Sequence, residues 1–411
     1  MPPTIFISAG EASGEHYGAL LIGALKSQLA ATGQTAQFFG MGGARKGAAG
    51  LEPRVRSEDM AVMGLTEVVR HLPRIYGEYR KLKQSIRKRR PDVAVLIDFP
   101  EVHFKLAAEL HRLGIPVIFF VSPQLWAWKQ HRIELVKKYV SRMLVIFPFE
   151  EPFYRERGVL AEFVGHPLAE LPLPAISREQ FAVENRLEPA RTWIGLLPGS
   201  RPKEIRDNLA EMLRAAGALA PPGFQFLIPL ASTLSAKQRD EVRQLVEIYG
   251  AGLEIRLVED ARAALLHAHA SVVASGTATV EAALIGNPFV VVYRVSPLTY
   301  AIAKRVVKVS HVAMANLIAG KRIVPELIQD DFSAANIVQQ LERLLPDGAP
   351  RKSMMEELAR IRGLLNIRHG LQYLEGGAIE RVAAITLEVA GDRFGAASPA
   401  PTEETVLGSR S

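Results

Sequence analysis

Short apolar runs alternate with longer stretches of helical periodicity along most of this chain. In the first half the runs fall at 4–8, 37–40, 93–99, 117–121 and 143–147. In the second half they fall at 193–197, 226–230, 253–258, 271–275 and 289–293. Each is nearly free of polar residues, so each reads as a strand buried on both faces, and helices between strands imply parallel pairing. The pattern therefore predicts an α/β fold: two doubly wound, Rossmann-like units facing each other across a cleft. The stretch from 165 to 189 is proline-rich and has no strand pattern. Residues 1–168 are taken as the first unit, 169–190 as a linker, 191–345 as the second unit and 346–390 as C-terminal helices. From 391 to 411, small residues and prolines read as a disordered tail.

Composition narrows this picture. The chain has 411 residues, 48% of them hydrophobic, enough for two sizeable cores. Its 50 Lys and Arg against 43 Asp and Glu leave a net charge of +7, which favours an anionic partner: nucleotide phosphates, an anionic membrane surface or nucleic acid. There is no cysteine, which excludes disulfides and thiolate zinc sites. The apolar run at 4–8 has no basic region before it, so it does not read as a signal peptide, and no run is long enough to span a bilayer. A cytoplasmic protein touching a membrane fits these facts. The stretch 60–90 places Leu65, Val68, Val69, Leu72 and Ile75 at helical spacing among ten Arg, Lys and His residues, with Pro73 starting a new helix or kinking this one. It suits a membrane interface or an acyl pocket, or equally a packed helix with a solvated basic face. Only Tyr76 and Tyr79 interrupt it as stacking groups, so a nucleic-acid surface is poorly supported.

Two segments carry the sharpest chemistry. The strand at 193–197 runs into Pro198-Gly199-Ser200-Arg201 and then a basic helix start. The run at 271–275 enters Ser275-Gly276-Thr277 and another helix. Free N–H groups at helix starts favour phosphate, and Arg201 adds a charged donor, so the pair suggests a nucleotide diphosphate gripped by backbone amides. Glu281 suits ribose hydroxyls, or is a first-turn carboxylate favoured by the helix dipole. In the first half, Gly10 to Gly18 follow a strand and offer Glu11, Glu15 and His16 to a polar substrate, or merely open a helix. Asp98 ends the run at 93–99 just before Pro100: it is either a general base or the cap of the next helix. Trp126 and Trp128 line a cleft or acyl channel, or pack at a domain edge. His166 is more readily structural than catalytic. The dinucleotide-binding glycine motif, the phosphate-loop lysine motif and metal-ligating motifs are absent, so neither cofactor nor metal is expected.

These segments together resemble the lipid A disaccharide synthases, the family-19 glycosyltransferases of Gram-negative bacteria. The resemblance rests on Ser8-Ala9-Gly10-Glu11-Ala12-Ser13-Gly14, Ala61-Val62-Met63-Gly64, Ile97-Asp98, Val121-Ser122-Pro123 with Trp126-Ala127-Trp128, and Phe147-Pro148-Phe149-Glu150. It continues through Gly165-His166, Leu197-Pro198-Gly199-Ser200-Arg201, Ala274-Ser275-Gly276-Thr277-Ala278, Tyr293-Arg294 and Asn316-Leu317-Ile318-Ala319-Gly320. Where the family usually has Asp after Gly14, this chain has Glu15.

The resemblance implies a GT-B fold and transfer, with inversion, of 2,3-diacylglucosamine from its UDP conjugate to 2,3-diacylglucosamine 1-phosphate. It implies a homodimer with exchanged C-terminal parts, peripheral at the cytoplasmic face of the inner membrane, without metal, cofactor or nucleic acid. It assigns Asp98 as base, assisted by Glu15 or His16. UDP and its phosphates would be held by Gly199, Ser200, Arg201, Ser275, Gly276, Thr277, Glu281 and Asn316. The acceptor and its acyl chains would meet Ser13, Gly14, Met63, Leu65, Val68, Val69, Leu72 and Trp126. A UDP-N-acetylglucosamine epimerase of the same fold, or a non-catalytic nucleotide- or membrane-binding module, are the alternatives.

Overall fold

The computed structural model describes residues 2–60, 65–219, 223–231, 234–296, 300, 309–366 and 376–391, without the side chains of 12, 58–59 and 65–72. Its strands form two all-parallel sheets. The first contains β1 (Thr4–Ala9), β2 (Gln37–Met41), β3 (Glu52–Val55), β4 (Val93–Ile97), β5 (Val117–Phe120), β6 (Arg142–Val145) and β7 (Ala161–Phe163), in the order β3-β2-β1-β4-β5-β6-β7. The second contains β8 (Thr192–Leu197), β9 (Phe224–Pro229), β10 (Ile255–Val258), β11 (Ala270–Ala274), β12 (Phe289–Tyr293) and β13 (Glu326–Ile328), in the order β10-β9-β8-β11-β12-β13. Central strands such as β4 and β11 are buried at every residue. That double-sided burial is why they read as unbroken apolar runs.

Three strands were not anticipated: β3, β7 and β13. Each lies at a sheet edge and is three or four residues long. With one side open, Glu52, Pro53 and Arg54 of β3 stay exposed, so no apolar run announces it, and an edge is where a strand proline is tolerated. The run expected at 93–99 stops at Ile97, because Asp98 and Phe99 turn left-handed at φ of 51° and 52°. The helix Leu65–Arg89 runs through Pro73 without ending there.

In each sheet the chain order reverses once, between β1 and β4 and between β8 and β11. Such a switch point splays the outgoing loops apart and leaves a crevice beyond the strand ends. The chain joins its two halves twice. It leaves the first sheet through 164–191, where the helix Arg178–Asn185 packs Phe181 and Ala182 against Trp193 of β8. It returns with the helix Ala378–Gly391, which lies on the helix Ala12–Ala31 of the first half. Arg381 pairs with Glu162, Arg142 with Glu388, and Gln28 donates to the Glu380 carbonyl at 2.8 Å. His166, buried in the outgoing connection, donates its amide to the Leu365 carbonyl at 3.0 Å and accepts from the Leu168 amide through Nδ1 at 3.2 Å. Burial holds its imidazole neutral, at about 3; it stitches the two crossings together.

Candidate active site

Both switch points carry candidate residues, and the two face each other. From the first come Glu11, after β1, and Asp98, after β4; from the second comes Arg201, after β8. The Arg201 guanidinium lies 3.6 Å from the Glu11 carboxylate, an ion pair that crosses the cleft.

Asp98 occupies a left-handed position, and its amide still donates to the Phe120 carbonyl at 2.9 Å, as though β4 continued one residue. Left-handed backbone in two successive non-glycine residues is uncommon and concentrates at functional sites. The cap of the following helix, Pro100–Arg112, is Phe99, with Pro100 in its first turn. The alternative reading of Asp98 as helix cap therefore does not hold. Burial, reinforced by the charge of Glu11, pushes its carboxyl up to about 6, against the Phe99 amide and Arg201, which favour the anion. Such a carboxylate is poised to take a proton near neutral pH. Tyr17, also buried here, is pushed up by desolvation and then by the negative charges of Glu281 and Asp98. Glu281 of the second half and Asp98 of the first thus share one electrostatic neighbourhood.

Glu15 and His16 do not join them. Burial raises the Glu15 carboxyl, but amide hydrogen bonds from Lys46 and Gly43 and the Lys46 charge outweigh it and hold it below its usual range. Lys46 itself is fully buried, its Nζ 3.3 Å from Glu15 Oε2 and 2.5 Å from the Met41 carbonyl. Glu15 is committed to this pair, which clamps the helix Ala12–Ala31 to the loop after β2. Its carboxylate faces Lys46, and among the described residues no contact joins it to Asp98. His16 is half-buried, and burial together with the charge of Arg45 pushes its imidazole below its usual range.

The second switch point works mainly through backbone. Gly199 sits at φ of 120°, and a Cβ there would lie 2.5 Å from Glu204 Oε2. That oxygen accepts the amides of Ser200 at 3.2 Å and Arg201 at 3.3 Å, while Glu204 Oε1 pairs with the Arg201 guanidinium at 3.3 Å. The chain's own carboxylate thus occupies the donors expected to meet a phosphate. At the other turn the Ser275 amide is not available, because it donates to the Val292 carbonyl at 2.9 Å and continues the ladder. Gly276 and Thr277 are exposed, and the helix Thr277–Ile285 starts at Gly276 without a side-chain cap. Glu281 lies in the second turn of that helix, not the first, so the dipole reading does not apply. Burial raises its carboxyl, opposed by Arg262 and reinforced by Asp260.

Asn316 departs furthest from expectation. It is fully buried. Its Nδ2 donates to the Val324 carbonyl and to Glu326 Oε1, and its Oδ1 accepts the amides of Ile323 and Val324. An amide with its donors and acceptors so engaged has nothing left to offer a nucleotide. It shapes the 312–326 loop, whose Glu326 also gathers the Val312 and Ala313 amides.

On the acceptor side, Ser13 is half-buried in the first helical turn. Gly14 is buried where the helix crosses β1 and β4: a Cβ there would meet Ala9 at 3.0 Å and Ile97 at 3.5 Å. It permits close packing and does not line a pocket. Trp126 is likewise buried, its indole N–H donated to Glu150 at 3.0 Å and its ring edge-on to Phe149. The exposed member of the pair is Trp128, with the Lys129 ammonium 4.1 Å from its ring centre. Met63, and the side chains of Leu65, Val68, Val69 and Leu72, lie outside the described residues. Beyond them the basic helix buries Leu82 and Ile86, while Lys83 and Arg87 pair with Glu109 and Arg89 with Glu52. No helix among the described residues is long and apolar enough to cross a membrane, and among them no three His, Asp or Glu side chains gather to hold a metal ion.

Comparison with known proteins supplies the rest. The sequence model of a family described as lipid-A-disaccharide synthetase matches residues 5–370. The lipid-A-disaccharide synthase of Acidobacterium capsulatum is 61% identical over 373 residues, covering 89% of this chain and 92% of its own. That of Koribacter versatilis is 48% identical over 391 residues, covering 94% and 98%. Among solved structures, a UDP-GlcNAc 2-epimerase from Neisseria meningitidis bound to UDP-GlcNAc superposes with a TM-score of 0.59 at 14% identity, covering 94% of this chain and 98% of the other. The calicheamicin glycosyltransferase CalG4 gives 0.57 at 17%, covering 95% and 98%. At such identities the likeness shows the fold alone: two parallel sheets with covering helices, the GT-B architecture.

Proposed function

The chain belongs to the lipid-A-disaccharide synthase family, glycosyltransferases of lipid A biosynthesis, and on that premise we propose that it joins two acylated glucosamines with inversion. The donor in this reading is UDP-2,3-diacylglucosamine and the acceptor 2,3-diacylglucosamine 1-phosphate. The acceptor 6-hydroxyl oxygen attacks the donor anomeric carbon while the bond from that carbon to the β-phosphate oxygen breaks. The proton passes to Asp98, and the bonding electron pair leaves with UDP. Arg201, with the amides of Ser200, Gly276 and Thr277, stabilises the charge growing on the β-phosphate, and Glu281 receives the ribose. Fixed donors aimed at developing charge are among the largest contributions an enzyme makes.

One observation carries this reading. A carboxylate whose proton affinity sits near neutrality, raised in part by the neighbouring charge of Glu11, stands across the cleft from the guanidinium at the phosphate turn, which pairs with that same Glu11 at 3.6 Å. Entry of the diphosphate would take Arg201 away from Glu11 and Glu204. Peripheral contact with an anionic membrane through the basic helix Leu65–Arg89, and homodimer formation, are part of the same proposal.

The test is mass spectrometry of purified protein with both lipid substrates in detergent and EDTA. The expected result is a tetraacyl disaccharide 1-phosphate formed in step with UDP. UDP release without a disaccharide, or binding without turnover, overturns the transferase reading in favour of an epimerase or a binding module.

A further inference from the structure

His103 is fully buried three residues into the helix that follows Asp98, and no element of the transfer chemistry uses it. Its Nδ1 lies 2.5 Å from the carbonyl oxygen of Asp98, and its Nε2 lies 2.8 Å from the buried Ser8 hydroxyl on β1. A carbonyl only accepts, so Nδ1 carries the proton and Nε2 accepts from Ser8. The ring is edge-on to Phe99 at 5.7 Å and to Phe119 at 6.1 Å. Phe99 is wedged in turn against Gly10, where a Cβ would lie 2.4 Å from its ring. Resting on the reading of Asp98 as the base, we propose that His103 is its positioning residue: the imidazole fixes the Asp98 carbonyl and thereby keeps the left-handed turn that aims the carboxylate into the cleft.

The argument runs from geometry. Asp98 and Phe99 both sit at positive φ, a conformation neither side chain prefers. The peptide between them has one orientation in which its carbonyl points down at His103. Released from that bond, the peptide is free to rotate toward the extended conformation these residues favour, carrying the carboxylate with it. A misplacement of about 1 Å of a catalytic group costs on the order of a hundredfold in rate. The ring is suited to the task because it stays neutral: burial, with the charge of Lys46 adding to it, holds the imidazole at about 3 despite the Asp98 hydrogen bond. It therefore donates on one side and accepts on the other at any working pH. It touches neither substrate, so this is a positioning role and not catalysis by histidine.

Two near-isosteric variants separate this role from simple packing. In His103→Asn the side-chain N–H falls close to where Nδ1 was, so the bond to the Asp98 carbonyl survives. In His103→Gln it falls near the old Nε2, so that bond is lost while Ser8 keeps a neighbour. The expected result is kcat within about fivefold of wild type for Asn and a fall of about tenfold to a hundredfold for Gln, with UDP affinity unchanged in both. Equal kcat in the two variants overturns the proposal. So does a loss in both that tracks their melting temperatures. If His103→Gln fails to fold, Ser8→Ala serves instead, since it frees the far side of the ring. A several-fold fall in kcat at unchanged UDP affinity supports the proposal, and unchanged kcat overturns it. Asp98→Asn in the same assay keeps the two failures apart. Full activity there rejects Asp98 as base, whereas an inactive Asp98→Asn beside equal His103 variants rejects only the positioning role.

Discussion

The two switch points are built from different materials. Around β1 and β4 the proposed working group is a side chain, and buried polar pairs lie on both faces of the sheet beneath it: Lys46 with Glu15 under the helix Ala12–Ala31, and His103 with Ser8 on the opposite face, beside Phe119. Around β8 and β11 the working groups are backbone amides and one half-exposed arginine, with glycines at φ of 120° and 151° setting the turns. On the proposed function, the difference follows from the task. A base must hold one atom in one place with one proton affinity, which takes a rigid, desolvated support. A diphosphate is large and released on every turnover, so in that reading its grip would consist of donors that exchange partners, Glu11 and Glu204 giving way to phosphate.

If that contrast is right, substitutions should split by kind of loss. The largest effect is expected from Asp98→Asn: turnover falls by about a hundredfold to ten-thousandfold, while calorimetry finds UDP binding intact. In the wild type the same group should make kcat/KM rise as pH passes upward through about 6, because Asp98 must be unprotonated to act; a flat profile between pH 5 and 8 would break the assignment.

Arg201→Ala comes next, with turnover down by roughly a hundredfold and, unlike Asp98→Asn, a matching loss of UDP affinity. Turnover within about twofold of wild type would remove Arg201 from the phosphate site. Gly199→Ala combines a left-handed backbone with a Cβ 2.5 Å from Glu204. It should weaken UDP about tenfold and destabilise the chain by about 1–3 kcal/mol, read as a lower melting temperature. Glu204→Gln should have a small and opposite effect, tightening UDP by about two- to threefold as a competing charge is withdrawn from the Ser200 and Arg201 amides. Weaker binding would mean that Glu204 shapes the turn more than it blocks it.

The smallest effect comes from another buried carboxyl of the first half, Glu150, beside Trp126 and Ser122. Burial pushes Glu150 from its ordinary 4.5 up to about 7, against hydrogen bonds from the Phe147 amide, Trp126 and Ser122. A carboxyl raised on folding contributes stability that is fully present below its unfolded value and is lost as pH climbs through the folded one. The wild-type melting temperature should therefore decline from pH 5 to pH 8 relative to Glu150→Gln, and parallel curves would count against it.

How far the sequence alone reached can be seen residue by residue. Central strands were readable because burial on both faces leaves no polar position to interrupt them, and so was the strand-to-helix turn at Gly199 and Arg201, which follow such a strand directly. Edge strands such as Glu52–Val55 were not, since half of each faces water. Phe99 misled for the opposite reason: an apolar residue at a strand end looks like more strand, yet here it turns left-handed and wedges against Gly10. Lys46, His103 and Glu150 were illegible because a charged or polar residue in sequence predicts solvent, and the folded-state partners that make burial tolerable include Glu15, Ser8 and Trp126, which lie 24 or more positions away. Glu15 and Asn316 were expected to meet ligands, and the structure engages them instead with Lys46 and with the 323–326 segment.

The returning helix Ala378–Gly391 also sets a timetable. The helix Ala12–Ala31 that it covers leaves the ribosome early, whereas its cover is translated only after the entire second sheet. At roughly 5–20 residues per second, the earlier helix waits about twenty to seventy seconds with an apolar face uncovered. The first half is thus completed last, and a ribosome that stalls in the second half leaves behind a nascent chain suited to capture by chaperones rather than a finished domain.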